Sequence, residues 1–208
     1  MPQIKAFYFS LLCAVVLIGC GPKAPPETHA LLYQEARAVK PFILENQFGE
    51  AVSEENLKGQ WTLLFLGYTS CPDICPMTLA KLTQVYEKLS DTYPINIWFV
   101  SVDPKRDVVD KRRQYIDYFN PDFTAVSAEH KQLFPFVRNL GLVYAIHDDG
   151  ESENYTVDHS ASVTLVDPSG AVRAIFKPEF AKGKVPIIDQ SKIIEDLHAI
   201  IEYYSSAL

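Results

Sequence analysis

The chain has 208 residues, with 19 Lys and Arg against 26 Asp and Glu, a formal net charge of -7, 48% hydrophobic residues and four cysteines. These values exclude a disordered, collagen-like or multi-span membrane protein, and an acidic balance without a basic run offers no footprint for nucleic acid. Four cysteines are too few for a disulfide scaffold and enough for one reactive or metal-binding pair.

Residues 1–19 carry a single charge, Lys5, followed by an uncharged run from Ala6 to Ile18. That run is shorter than the roughly 20 residues a membrane span needs, and its profile is that of a signal peptide. It ends in Leu17-Ile18-Gly19-Cys20, similar to a bacterial lipobox, in which the cysteine is lipidated and becomes the first mature residue. Loss of Lys5 with the signal takes the net charge to -8. Residues 20–35 are expected to form the lipid anchor and a tether, with Pro22, Pro25 and Pro26 in its first part, and the folded domain is expected over 36–206. An exported domain sits on the extracytoplasmic side, where disulfides persist.

In chain order, Phe42 to Val52, with a turn near Gly49, reads as an N-terminal hairpin. Trp61 to Gly67 is a nearly continuous apolar run, as in a strand buried on both faces. Leu79, Leu82, Val85, Tyr86 and Leu89 recur at helical spacing. Ile95 to Val102 is a second buried strand, and Asp103-Pro104 ends it. Asp107 is a candidate N-cap for a helix through Phe119. Phe123 to Val126 reads as a strand and Glu129 to Leu140 as a helix interrupted by Pro135. Leu142 to Ile146 is strand-like, His147 to Glu153 a polar loop, and Ala161 to Val166 with Val172 to Phe176 a hairpin across Asp167-Pro-Ser-Gly170. Ser191 to Tyr204 closes the chain as an amphipathic helix. Strand-helix-strand units followed by a hairpin describe an α/β sandwich with a mixed central sheet.

The informative segment is Tyr68-Thr-Ser-Cys71-Pro72-Asp73-Ile74-Cys75-Pro76. It follows a buried strand and opens a helix, where unsatisfied N–H groups and the helix dipole favour a thiolate at Cys71. With Pro72 near the first helical position, Cys71 and Cys75 share a face of the first turn, within reach of a disulfide or of one metal ion. A passive disulfide or two inert core cysteines would fit the spacing as well, although so small a loop gives a bridge little to stabilise. Among five histidines, His159 stands in Val157-Asp-His-Ser160, ahead of a strand able to neighbour the Cys-bearing one, and His147, beside Asp148 and Asp149, is a secondary candidate. Two thiolates and an imidazole form a soft, low-coordinate set suited to copper, above all Cu(I), and poorly suited to Ca²⁺ or Mg²⁺.

These segments, with Ser101-Val-Asp-Pro-Lys-Arg-Asp107, Asp158-His-Ser160 and Val166-Asp-Pro-Ser-Gly170, resemble the Sco/SenC family of copper-binding thioredoxin-like proteins from about Phe42 to Ile201. The resemblance implies a thioredoxin-like fold and copper, as Cu(I), Cu(II) or both, held by Cys71, Cys75 and His159. It further implies a role in maturing the dinuclear copper centre of cytochrome c oxidase, with the copper-binding subunit of that enzyme or another cuproprotein as client. Asp158, Asp103 and Asp107 are candidates for supporting the ligands, although a turn and a helix cap also account for the last two. Ordinary thioredoxins use CxxC, and peroxiredoxins a single peroxidatic cysteine, so CxxxC favours metal over general thiol exchange. A chaperone is the first reading. A thiol:disulfide reductase keeping the client's cysteines reduced, with Cys71 attacking and Cys75 resolving, is the enzymatic alternative, and a copper or redox sensor a third.

Overall fold

The computed structural model describes residues 24–147, 155–183 and 185–205. The signal sequence and Cys20 lie outside them. Six strands form the central sheet, in the order β1 (Leu31–Ala38), β10 (Ala171–Phe176), β9 (Val163–Val166), β4 (Trp61–Gly67), β5 (Ile95–Ser101) and β6 (Thr124–Val126). The sheet is mixed. β4, β5 and β6 run parallel, with Trp61 opposite Ile95 and Gly67 opposite Ser101, whereas β9, β10 and β1 are joined through antiparallel pairs. Every residue of β4 is buried, which explains its unbroken apolar sequence.

Parallel neighbours need crossovers, supplied by α1 (Ile74–Leu89) between β4 and β5 and by α2 (Val109–Phe119) between β5 and β6. Helix α1 buries Leu79, Leu82, Val85 and Leu89 and packs against α4 (Gln190–Ser205), which buries Ile193, Leu197, Ile200 and Ile201. Helix α3 (His130–Asn139) runs through Pro135 without ending there. The N-terminal hairpin is short, β2 (Leu44–Glu45) with β3 (Ala51–Val52), and turns through Gly49 at φ 77.

The structure moves three expected boundaries. The tether does not extend to residue 35, because Leu31–Ala38 is an edge strand on β10. The buried Asp196 carboxylate of α4 accepts the N–H groups of His29 and Ala30 at 3.0 and 2.8 Å, so the fold already begins there. Helix α1 starts at Ile74, leaving Cys71 and Pro72 ahead of it. Helix α2 is capped by Val108 and not by Asp107, whose carboxylate is drawn into the interior by other donors.

β7 (Tyr144–His147) and β8 (Thr156–His159) form a separate two-stranded ribbon, with Tyr144 opposite His159 and His147 opposite Thr156. Of the expected polar loop, His147 is the last residue of β7, and residues 148–154 lie outside the described residues. The register also fixes the two ends of the sheet. Phe65 pairs with Val163, Val163 with Phe176, and Ile175 with Leu31. The end of β4, the start of β9, the end of β10 and the start of β1 therefore share one end of the molecule.

Candidate metal centre

The centre is built at that end, where β4 gives way to α1. Gly67 closes the strand, and a Cβ there would stand 2.6 Å from the Phe99 ring and 2.9 Å from Cys75 Sγ, so only glycine lets the buried sulfur approach the sheet. The chain then turns, with the Cys71 N–H bonded to the Tyr68 carbonyl at 3.1 Å. Cys75 enters the first turn of α1, and its N–H, with no partner inside the helix, donates to Cys71 Sγ at 3.4 Å. Pro76 follows within the first turn, where its missing N–H costs no hydrogen bond.

His159 arrives from the end of the ribbon. Its Nε2 stands 3.3 Å from Cys75 Sγ, and its ring meets Phe65 and Tyr68 edge-on. Nδ1 lies 3.1 Å from the Ser160 carbonyl oxygen, a contact in which the ring nitrogen must donate. That contact fixes the ring's orientation and turns Nε2 toward the sulfurs. One ligand atom from each of Cys71, Cys75 and His159 lies within 4.8 Å of the others, and both cysteines are free. The set fits a soft cation with low coordination number.

The two sulfurs differ electrostatically. Cys71, half-buried, is lowered to about 4, first by the hydrogen bond from the Cys75 thiol against the opposing effect of burial, then by His159 and the N–H groups of Cys75 and Asp73. Burial pushes the Cys75 thiol far up, and proximity to Cys71 adds to it. Near neutral pH the pair therefore holds one proton, on the inner sulfur. The helix start contributes to the low value at Cys71, but the neighbouring thiol dominates.

Asp107, fully buried, accepts from the Thr69 N–H at 2.8 Å, Thr69 Oγ1 at 2.6 Å and Ser101 Oγ at 2.7 Å, tying the Cys-bearing turn to the end of β5. Asp103, also buried, accepts from Arg106 Nε and the Tyr155 hydroxyl. Arg106 lies 3.8 Å over the Tyr155 ring, donates to the Tyr155 carbonyl at 3.0 Å and stands 5.4 Å over the Tyr68 ring, so this cluster ties the start of the His159 strand to the segment after β5 and to Tyr68 at the head of the Cys-bearing turn. Asp158 does not orient His159. Alternation along β8 turns it outward, where its carboxylate accepts from His147 Nε2 at 2.7 Å. The exposed His147 is engaged in that pair and stands outside the ligand cluster. His29, His130 and His198 are partnered elsewhere, with Glu195, the Tyr144 hydroxyl and the Tyr93 hydroxyl. Spacing gave no signal for Arg106 and Tyr155, which reach the site only through the tertiary fold.

A mixed sheet with a dithiol at the strand-to-helix junction and an imidazole delivered from a neighbouring ribbon defines a thioredoxin-like protein with a Cys-Cys-His centre. The SCO1/SenC family model matches residues 32–195, and the chain belongs to that family. A SCO2-like protein of Rickettsia prowazekii is 34% identical over 162 residues, 75% of this chain and 78% of that one. The fold is similar to the crystal structure of copper-bound ScoI from Arabidopsis thaliana (TM-score 0.69, 29% identity, 80% of this chain and 100% of that one) and to a structure of copper-bound ScoI from Bradyrhizobium japonicum (0.63, 28%, 81% and 98%). It is also similar to apo Sco1 of Thermus thermophilus (0.71, 28%, 86% and 99%).

Proposed function

We propose that this protein binds copper through Cys71, Cys75 and His159 and delivers it to the dinuclear copper centre of cytochrome c oxidase. Delivery takes place on the extracytoplasmic side, from a position held by a lipid on Cys20. The observation that carries the reading is the convergence of two free sulfurs and one imidazole nitrogen within 4.8 Å, a donor set matched to soft-metal chemistry. Copper-bound structures of ScoI relatives support the choice of metal.

The residues divide the work. Cys71, already a thiolate and partly exposed in a groove of about 470 Å³, receives the ion and is the ligand a client thiolate displaces first. Cys75 surrenders its proton as the ion settles, and His159 contributes a lone pair already oriented. The dissociated proton leaves to solvent through the same groove. Anaerobic Cu(I) titration of the reduced protein should give one copper per chain, and a stoichiometry near zero would overturn the proposal.

The low value at Cys71 favours a second reading, in which Cys71 attacks a client disulfide and Cys75 resolves the mixed disulfide. The client then gains two thiols and this chain a Cys71–Cys75 disulfide. Exchange of that kind needs no imidazole ligand. In His159→Ala, joint loss of copper binding and oxidase assembly supports delivery, and loss of copper binding with assembly unchanged supports the reductase.

A further inference from the structure

The segment between β10 and α4 provides no ligand to the metal centre, yet it touches both that centre and the point where the N-terminal chain enters the fold. The Glu179 N–H donates to the Ile187 carbonyl at 2.9 Å, closing a finger that contains residues 180–183 and 185–186, with a turn at Gly183 of φ 74; residue 184 lies outside the described residues. At its root, Lys177, Glu179 and Ile188 share a cleft with His29 and Ala30. At its far side, Val185 and Pro186 line the groove that holds Cys71 and His159.

The finger is apolar and cationic where it meets solvent. Phe180 is 81% exposed, and Lys177 and Lys182 are exposed beside it. The acidic groups of the segment are occupied at its root, Glu179 with Lys192 and Asp189 with the N–H groups of Ser191 and Lys192. An exposed ring flanked by lysines suits the headgroup region of an anionic bilayer, and it does so here on a protein that is acidic as a whole. Seven residues, spanned by eight Cα–Cα steps, separate Cys20 from Thr28. Fully extended they reach about 28 Å, so a lipid at Cys20 keeps this end of the sheet close to the membrane.

We propose that the finger around Phe180 and Lys182 is a membrane-contacting element: these two side chains rest on anionic lipid headgroups and hold the Cys71–Cys75–His159 centre at the bilayer-proximal end of the domain. This rests on the reading of Cys20 as the lipid anchor. The opposite end supplies a control in Tyr118, 84% exposed near the end of α2, where the crossover has returned the chain to the far end of the sheet.

The test places the full lipidated chain in vesicles of phosphatidylethanolamine and phosphatidylglycerol with brominated acyl chains, as Phe180→Trp and, separately, Tyr118→Trp. The native Trp61 and Trp98, 4% and 2% exposed, give a background shielded from the lipid in both. Loss of the added emission in Phe180→Trp but not in Tyr118→Trp is the expected result, and Lys177→Glu with Lys182→Glu should reduce that quenching severalfold. Equal quenching at both positions, or none at either, would overturn the finger's role. The mass of the mature protein reports separately on the anchor: an unmodified Cys20 removes the reading on which the proposal rests, and the proposal with it.

Discussion

Replacing Asp107 with alanine tests whether the Cys-bearing turn is held from below. The wild-type carboxylate is fully buried and accepts three hydrogen bonds, two from Thr69 and one from Ser101. Hydrogen bonds to a charged group contribute about 1.5–3 kcal/mol each and are not additive, and truncation leaves the Thr69 N–H and Ser101 hydroxyl without their acceptor. A loss of about 3 kcal/mol in unfolding free energy follows, with about half of that in Asp107→Asn, which keeps one acceptor oxygen. Lys111, 3.9 Å away and 43% exposed, adds little, and the bond from Arg112 goes to the backbone carbonyl, which survives the substitution. Because Thr69 leads directly to Cys71, Cu(I) affinity should also fall by about tenfold, the lower range for groups that position metal ligands. Urea unfolding of the reduced protein and competition with a chromophoric Cu(I) chelator measure the two effects. A stability loss under about 1 kcal/mol together with unchanged affinity would refute the argument that this carboxylate positions the turn.

Two further substitutions and the pH profiles of the thiol pair probe the same geometry. Gly67→Ala forces a methyl group against Phe99 and Cys75 Sγ and should cost about 1–3 kcal/mol in unfolding free energy while weakening copper binding; wild-type values for both would contradict the close approach. Alkylation of Cys71 in the metal-free reduced protein should be nearly independent of pH from about 5 to 8, whereas an ordinary thiol speeds up about tenfold per unit. The linkage has a sign: the lowered value at Cys71 stabilises the fold fully above the ordinary thiol range and loses that effect as pH falls towards about 4. The raised value at Cys75 works in the other direction, removing stability as pH climbs past the ordinary thiol range. Since only Cys75 carries a proton near neutrality, Cu(I) binding should release about one proton per metal and strengthen about tenfold per pH unit; a slope of two would mean that both thiols start protonated. His147→Ala removes an exposed pair with Asp158 and should change stability by less than about 1 kcal/mol and leave copper stoichiometry intact, as titration would show.

Much of this architecture can be read from the chain because its decisive elements are local. β4 is buried on both faces and so has an unbroken apolar run, and α1 carries its core residues at helical spacing. The cysteine pair is adjacent in sequence, and its position after a buried strand is enough to suggest a reactive site. β1 is less visible because it is an edge strand with a register shift between Leu32 and Arg37, so its apolar and charged residues do not alternate cleanly. The aspartates are ambiguous for a different reason. Asp at a strand end or before a helix looks the same whether it caps a helix or accepts bonds from a turn 38 residues away, as Asp107 does. His159 reaches Cys75 across 84 residues, through a ribbon whose pairing no periodicity in so short a strand reveals.

That ribbon would couple ion binding to local order. Among the described residues β7 and β8 pair only with each other, and a lone two-stranded ribbon is marginally stable by itself. Its end carries one ligand, while the other two belong to the rigid junction of β4 and α1. An ion held by all three fastens the ribbon to the body of the protein, so part of the binding free energy appears as order in β7 and β8. Amide exchange there should slow on loading and quicken on release. A client engaging the groove would then meet two different surfaces, firm when the cargo is present and loose once it has left, and could distinguish donor from spent carrier without contacting the ion.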